Sequence, residues 1–71
     1  MFTVRRFYLM RTEDVSGTSG VGVVAFGVEF HDGTAVLRWN TSTSSTAVYA
    51  SVEDVIEIHG HGGMTTVEWV D

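Results

Sequence analysis

Phe26-Gly-Val-Glu-Phe-His-Asp-Gly-Thr-Ala-Val-Leu-Arg-Trp39 is the stretch on which the fold turns. Two runs of β-forming residues flank Asp32-Gly33, a dipeptide favoured in two-residue hairpin loops because both loop positions need positive φ. With these two residues as the loop, His31 faces Thr34, Phe30 faces Ala35 and Glu29 faces Val36. Val28 then faces Leu37, Gly27 faces Arg38 and Phe26 faces Trp39. That register gathers Phe26, Val28, Phe30, Ala35, Leu37 and Trp39 on one side as a core. Glu29 and Arg38 stay outside. A slip of one residue would mix the two sets, because side chains alternate along a strand. The predicted architecture and the association argument below both rest on Val28 and Leu37 sharing a side.

Upstream, Thr3 to Arg11 is rich in β-formers, and Phe7-Tyr8-Leu9-Met10 is continuously apolar. Such a run suits a strand covered on both sides, with one side available as an oligomer contact. Residues 12–20, TEDVSGTSG, read as a polar loop whose glycines permit a tight turn and a bulge into the next strand. Downstream, Asn40 to Ser45 is a Ser/Thr loop and Thr46 to Ala50 a short strand. Ser51-Val-Glu-Asp54 reads as a helix cap followed by first-turn acids. Val52, Val55, Ile56 and His59 fall on one helical face, and Gly60 stands at the C-terminal stop. Met64 to Val70 closes with a strand over Thr66–Val70. The chain therefore reads as one domain, residues 1–71, mainly β (α+β). Its predicted form is a five-stranded curled antiparallel sheet, or a small partly open barrel, with one short helix before the last strand.

The chain has 71 residues, of which 44% are hydrophobic and 18% charged, so it should fold. It contains no Cys, Pro or Lys, which excludes disulfide staples and thiolate zinc sites. A domain of this size buries only about 60% of the surface its unfolded chain exposes. Self-association is the natural supplement to so small a core. Three arginines and no acid occupy the first eleven residues, whereas Arg38 alone stands against nine carboxylates in the rest. The asymmetry predicts an oriented electrostatic contact, within the molecule or with a neighbouring copy. No secretory segment or apolar run near the roughly 18 residues of a membrane span is visible. The expected location is the cytoplasm, with no membrane partner.

Glu57-Ile-His59-Gly-His61 is the densest cluster of ligand-type residues, with Glu68 and His31 elsewhere. Two imidazoles and a carboxylate are donors suited to a divalent ion, but the spacing lacks the i, i+4 histidine pair of helical metal sites. His59 is better explained as a last-turn cation at the helix dipole, and no cofactor is assigned. The loop Ser16-Gly-Thr-Ser-Gly-Val-Gly22 is glycine-rich, yet it leads into a strand and no Lys follows, unlike a phosphate loop. Arg5, Arg6, Arg11 and Arg38 beside Phe7, Tyr8 or Trp39 are the ingredients of single-stranded nucleic-acid binding. The acidic balance argues against it, and Glu13, Asp14 and Glu29 are simpler partners for those arginines. No Gly-x-Ser-x-Gly elbow is present, and Glu53 with Asp54 serves the helix start better than acid–base work. The chain does not read as an enzyme.

Phe2, Phe7, Tyr8, Phe26, Phe30, Trp39 and Trp69 are many large rings for so small an interior. Any left outside would form an interface patch. The reading is a non-enzymatic interaction module, self-associating through strand edges or aromatic faces, with another protein as a second class of partner. Its interaction residues are Arg5, Arg6, Phe7, Tyr8, Arg38 and Trp69. Nucleic-acid binding and a Glu57/His59/His61 metal site are the alternatives.

The stretches Arg11-TEDVSGTSGVGVV-Ala25, Gly27-VEFHDG-Thr34 and Leu37-Arg-Trp39 resemble a group of short uncharacterised proteins of high-GC bacteria and their phages. Ser51-VED-Val55, His59-GHG-Gly63 and Glu68-WV-Asp71 are similar to the same group. The resemblance covers most of the chain. It implies a shared fold and a phage accessory role, and it carries over no catalytic residue.

Overall fold

A computed structural model of the chain describes residues 3–12 and 21–71, with His61 described by its backbone alone. Phe2, the loop over 13–20 with its glycines, and Glu13 and Asp14 as ion-pair partners lie outside the described residues. The elements are β1 (Arg5–Arg11), β2 (Gly22–Glu29), β3 (Ala35–Trp39), β4 (Thr46–Tyr49), α1 (Val52–His59) and β5 (Thr65–Trp69). The strands form one antiparallel sheet in the order β4-β3-β2-β1-β5. The sheet does not close on itself, so the barrel alternative gives way to an open sheet with β4 and β5 at its edges.

The link from β4 to β5 runs from one edge to the other, and α1 lies within it. One face is therefore crossed by the helix. Under it sit Phe7, Leu9, Ala25, Ala35 and Leu37 from the sheet with Val52 and Val55 from the helix, all buried. Small residues make room for large ones here: a Cβ on Gly27 would run into the ring of Phe7, so the ring lies directly over the glycine backbone. Leu9 pairs with Ala25 but Met10 with Val23, which leaves Val24 as an extra residue in β2. This bulge lets consecutive residues Val24 and Ala25 both be buried, which a regular strand forbids.

The helix begins as its cap residues dictate. Ser51 is extended (φ −157°, ψ 164°), and its hydroxyl accepts the Asp54 amide at 3.2 Å. Of the predicted apolar face, Val52 and Val55 are buried, whereas Ile56 is 48% exposed. An eight-residue helix lying across the sheet reaches it with too narrow a stripe to bury Ile56 as well. Gly60 ends the helix in the right-handed region (φ −68°), its amide on the Ile56 carbonyl, so left-handed freedom is not its role. A Cβ there would strike that carbonyl oxygen. The chain reverses instead at Gly62 and Gly63, both at positive φ.

The β2–β3 hairpin forms, but in a different register. Ala25 pairs with Trp39, Phe26 with Arg38, Gly27 with Leu37, Val28 with Val36 and Glu29 with Ala35. The loop has three residues, not two: the Phe30 amide reaches the Thr34 carbonyl at 2.8 Å, and the Gly33 amide returns to Phe30 at 2.9 Å. Asp32 Oδ1 accepts the Thr34 amide at 2.9 Å, and Gly33 is at positive φ (93°). Three-residue loops built this way are the next most common hairpin class. Val28 and Leu37 consequently point to opposite faces. Phe26, Val28 and Phe30 leave the expected core, Phe30 being 41% exposed, and Glu29 joins the helix side. The hairpin and the sheet survive this correction because the loop absorbs the extra residue without changing which strands pair; the expectation of association, as it was tied to that shared side, does not survive it.

Candidate functional site on the uncovered face

The second face of the sheet carries alternate residues of every strand, and no described element crosses it. One row runs straight across: Thr46 on β4, Arg38 on β3, Phe26 on β2, Tyr8 on β1 and Glu68 on β5. The next row holds Val48, Val36, Val28 and Arg6, extended by Val70, whose amide bonds the Arg6 carbonyl. Phe26 is 55% exposed, Val48 70% and Val70 53%; Tyr8, Val28 and Val36 are half-buried. A shallow hollow of about 390 Å3 between the rows is lined by Arg6, Phe26, Val28, Val36, Arg38 and Val70.

The charges on this face differ in how they are held. Arg6 grips Asp71 with two hydrogen bonds, from Nε at 2.8 Å and Nη2 at 2.6 Å, and its amide adds a third at 3.0 Å. These bonds hold the Asp71 carboxyl down at about 2 and the Arg6 guanidinium above its ordinary value. Arg38 donates to Thr46 Oγ1 at 2.8 Å, and Glu68 accepts from Thr66 Oγ1 at 2.9 Å. Neither meets an opposite charge among the described residues.

The six predicted interaction residues divide between the two faces. Arg6, Tyr8 and Arg38 stand together on the uncovered one. Phe7 is buried, edge-on to Trp69 with ring centres 5.3 Å apart. Arg5 and Trp69 lie on the helix side, where the guanidinium sits 3.8 Å above the indole and 3.7 Å from Glu29. They border a cleft of about 650 Å3 between α1 and β5, floored by Val67 and bounded by Val52, Ile56 and Gly60. Arg11 is 2% exposed, donates to Thr65 Oγ1 at 2.9 Å and approaches the Trp39 ring at 6.0 Å. The four arginines thus occupy two faces and do not share one groove. Phe26 and Val28 are residues of the uncovered face that the expected register had placed in the core; Val36 stands beside Arg38 as that register had it, and Val48 and Glu68 join them from β4 and β5.

The histidine cluster is described in part. His59 Nε2 and the Tyr49 hydroxyl share a 2.7 Å hydrogen bond, and the imidazole stands edge-on to Trp39 at 4.8 Å. Burial raises the Tyr49 pKa, and the His59 tautomer decides which of the two groups donates. Glu57 faces solvent on α1, and the His61 side chain lies outside the described residues, as does most of the Ser16–Gly22 loop. Among the described residues no three His, Asp or Glu side chains gather at metal-binding distance. No described helix is long and apolar enough to cross a membrane.

No curated protein and no solved structure matches the chain. A family model does, over residues 4–71, which takes in both faces of the sheet and the helix. On that match the chain belongs to the Acb5 phage protein family.

Proposed function

We propose that the chain is a phage accessory protein of the cytoplasm that works as a non-enzymatic interaction module, using the uncovered sheet face to self-associate. One observation carries the reading: five strands lie beneath a helix on one side and present Tyr8, Phe26, Val28, Val36 and Val48 on the other. Monomeric domains rarely leave so continuous an apolar surface to water, and such surfaces commonly mark interfaces. The edges offer less. β4 has four residues and β5 five, a short template for strand addition.

Magnitudes set the strength to expect. Completing the burial of a half-exposed Val or Phe stabilises by roughly 1 kcal/mol, on about 25 cal/mol per Å2 of apolar surface. Five such side chains from each of two copies gain roughly 10 kcal/mol, against about 4–15 kcal/mol of lost freedom on association. The most favourable balance, about 6 kcal/mol, corresponds to association in the tens of micromolar, and a larger loss of freedom makes it weaker. Light scattering and sedimentation over a range from micromolar to millimolar concentration test this. The wild type should dimerise within that range and Phe26→Asp should remain monomeric with an unchanged far-UV spectrum. A wild type that stays monomeric throughout, or a Phe26→Asp that still dimerises, overturns the reading.

A further inference from the structure

The row Arg38–Phe26–Tyr8–Glu68 has a property that a generic apolar face lacks: it is charged oppositely at its two ends and aromatic in the middle. Arg38 on β3 and Glu68 on β5 are separated by three strand spacings, about 14 Å at roughly 4.8 Å per spacing. They are too far apart to pair within one chain. Both are exposed, and among the described residues each has a threonine hydroxyl as its side-chain hydrogen-bond partner. The midpoint of the row falls between β2 and β1.

We infer that two copies pack face to face about a twofold axis running parallel to the strands between β1 and β2, so that Arg38 of each copy pairs with Glu68 of the other. The inference rests on the self-association reading and adds its symmetry and charge code. A rotation about that axis exchanges the β3 and β5 positions and the β2 and β1 positions. Arg38 then comes over Glu68 of the second copy at both ends, and Phe26 comes over its Tyr8 in the centre. In the neighbouring row, Val36 meets Val70, and Val28 meets the aliphatic stem of Arg6, whose guanidinium stays on its own Asp71. An axis across the strands would instead stack Arg38 on Arg38 and Glu68 on Glu68, and like charges in contact oppose association. The isologous arrangement uses each complementary pair twice, as closed dimers do.

Charge reversal separates this arrangement from any other use of the face. Arg38→Glu alone sets two carboxylates against each other at both ends of the dimer, and Glu68→Arg alone does the same with two guanidinium groups. Each variant should dimerise at least about tenfold more weakly than wild type. Mixed in equal amounts, the two variants satisfy both ends at once and should form a heterodimer within a few-fold of the wild-type affinity. Sedimentation velocity of each variant and of the mixture, with one variant carrying a fluorescent label, reads the result. Both substitutions fall on exposed side chains, and far-UV dichroism confirms that each variant folds. Three results overturn the inference: single variants as dimeric as wild type, a mixture no tighter than its components, or a monomeric wild type. The first two, with Phe26→Asp still disruptive, leave the self-association reading standing. The third removes both.

Discussion

Phe26 and Gly27 are neighbours in β2 and face opposite ways, and the contrast between them is the contrast between the two faces of the sheet. On the helix side the strands contribute Ala25, Gly27 and Ala35, whose small volumes admit Phe7, Leu37 and the valines of α1. The other side carries Phe26, Val28, Val36 and Val48, with no glycine or alanine among them and nothing described above them. Both faces carry apolar side chains, but the helix side interleaves small ones with large, whereas the open side sets its apolar residues among Arg6, Arg38, Thr46 and Glu68. A helix packs where small and large residues interlock, because interiors are filled close to crystal density. A face without such small positions suits a flatter surface instead, and no described element covers it.

The sharpest way to break the comparison is to truncate adjacent residues of β3. Leu37 is fully buried beneath the helix, whereas Val36 is half-buried on the open side. Leu37→Ala should destabilise by about 3 kcal/mol through lost transfer energy and the cavity left behind. Val36→Ala should remain below about 1 kcal/mol at concentrations where the protein is monomeric. Urea denaturation of the two variants checks both numbers. Equal losses would mean that the open face is as well packed as the covered one.

A smaller effect tests how the register assigns residues to faces. Gly33 closes the three-residue loop at φ 93°, and a Cβ there would meet nothing within 4 Å. Gly33→Ala therefore measures backbone strain alone, about 1–2 kcal/mol for an L residue held in the left-handed region. Had the loop been the two-residue form, Asp32 would also sit at positive φ, and Asp32→Gly would stabilise the protein. In the observed loop Asp32→Gly instead loses the Oδ1 bond to the Thr34 amide and should destabilise modestly, by about 1 kcal/mol. Thermal or urea unfolding of the two variants side by side gives both values.

That one loop residue explains what was legible in the sequence and what was not. The five-strand order with a helix before the last strand followed from alternation, and the helix range Val52–His59 from Ser51, Glu53 and Asp54. Asp-Gly signals a hairpin but fits loops of two or three residues, and the difference sends every side chain of one strand to the other face. The volumes of Ala25, Gly27 and Ala35 against Phe7 and Leu37 held the missing information, but only once β1 was known to lie beside β2. Pairing between distant strands is not written in local pattern. For the same reason Arg6, Tyr8 and Arg38 were recognisable as surface candidates and Val36 as a neighbour of Arg38, whereas their assembly with Phe26, Val48 and Glu68 was not. Arg5 and Trp69 looked equivalent to them in sequence and belong to the helix side.

The two faces also differ in their ion pairs, and the weakest of the expected effects reads that difference directly. On the helix side Arg5 lies over Trp69 and approaches Glu29 at 3.7 Å, a single loose contact. Across the sheet Arg6 holds Asp71 through both carboxylate oxygens. The folded-state pKa of Asp71 is depressed to about 2, first by the side-chain bond from Arg6 and then by its backbone amide. A depressed carboxyl contributes stability that is fully present above its unfolded value near 3.8 and is lost as pH falls through the folded value. The window therefore runs from about pH 4 down to about 2. Because the pair is at the surface, its effect on global stability should be slight, and the titration itself is the better measurement. Carboxyl chemical shifts should place the Asp71 midpoint near pH 2 in the wild type and within the ordinary range in Arg6→Ala. An Asp71 that already titrates normally in the wild type would mean that Arg6 is released from it, free to add a second positive charge to the face beside Arg38, and the twofold charge code would have to be redrawn around it.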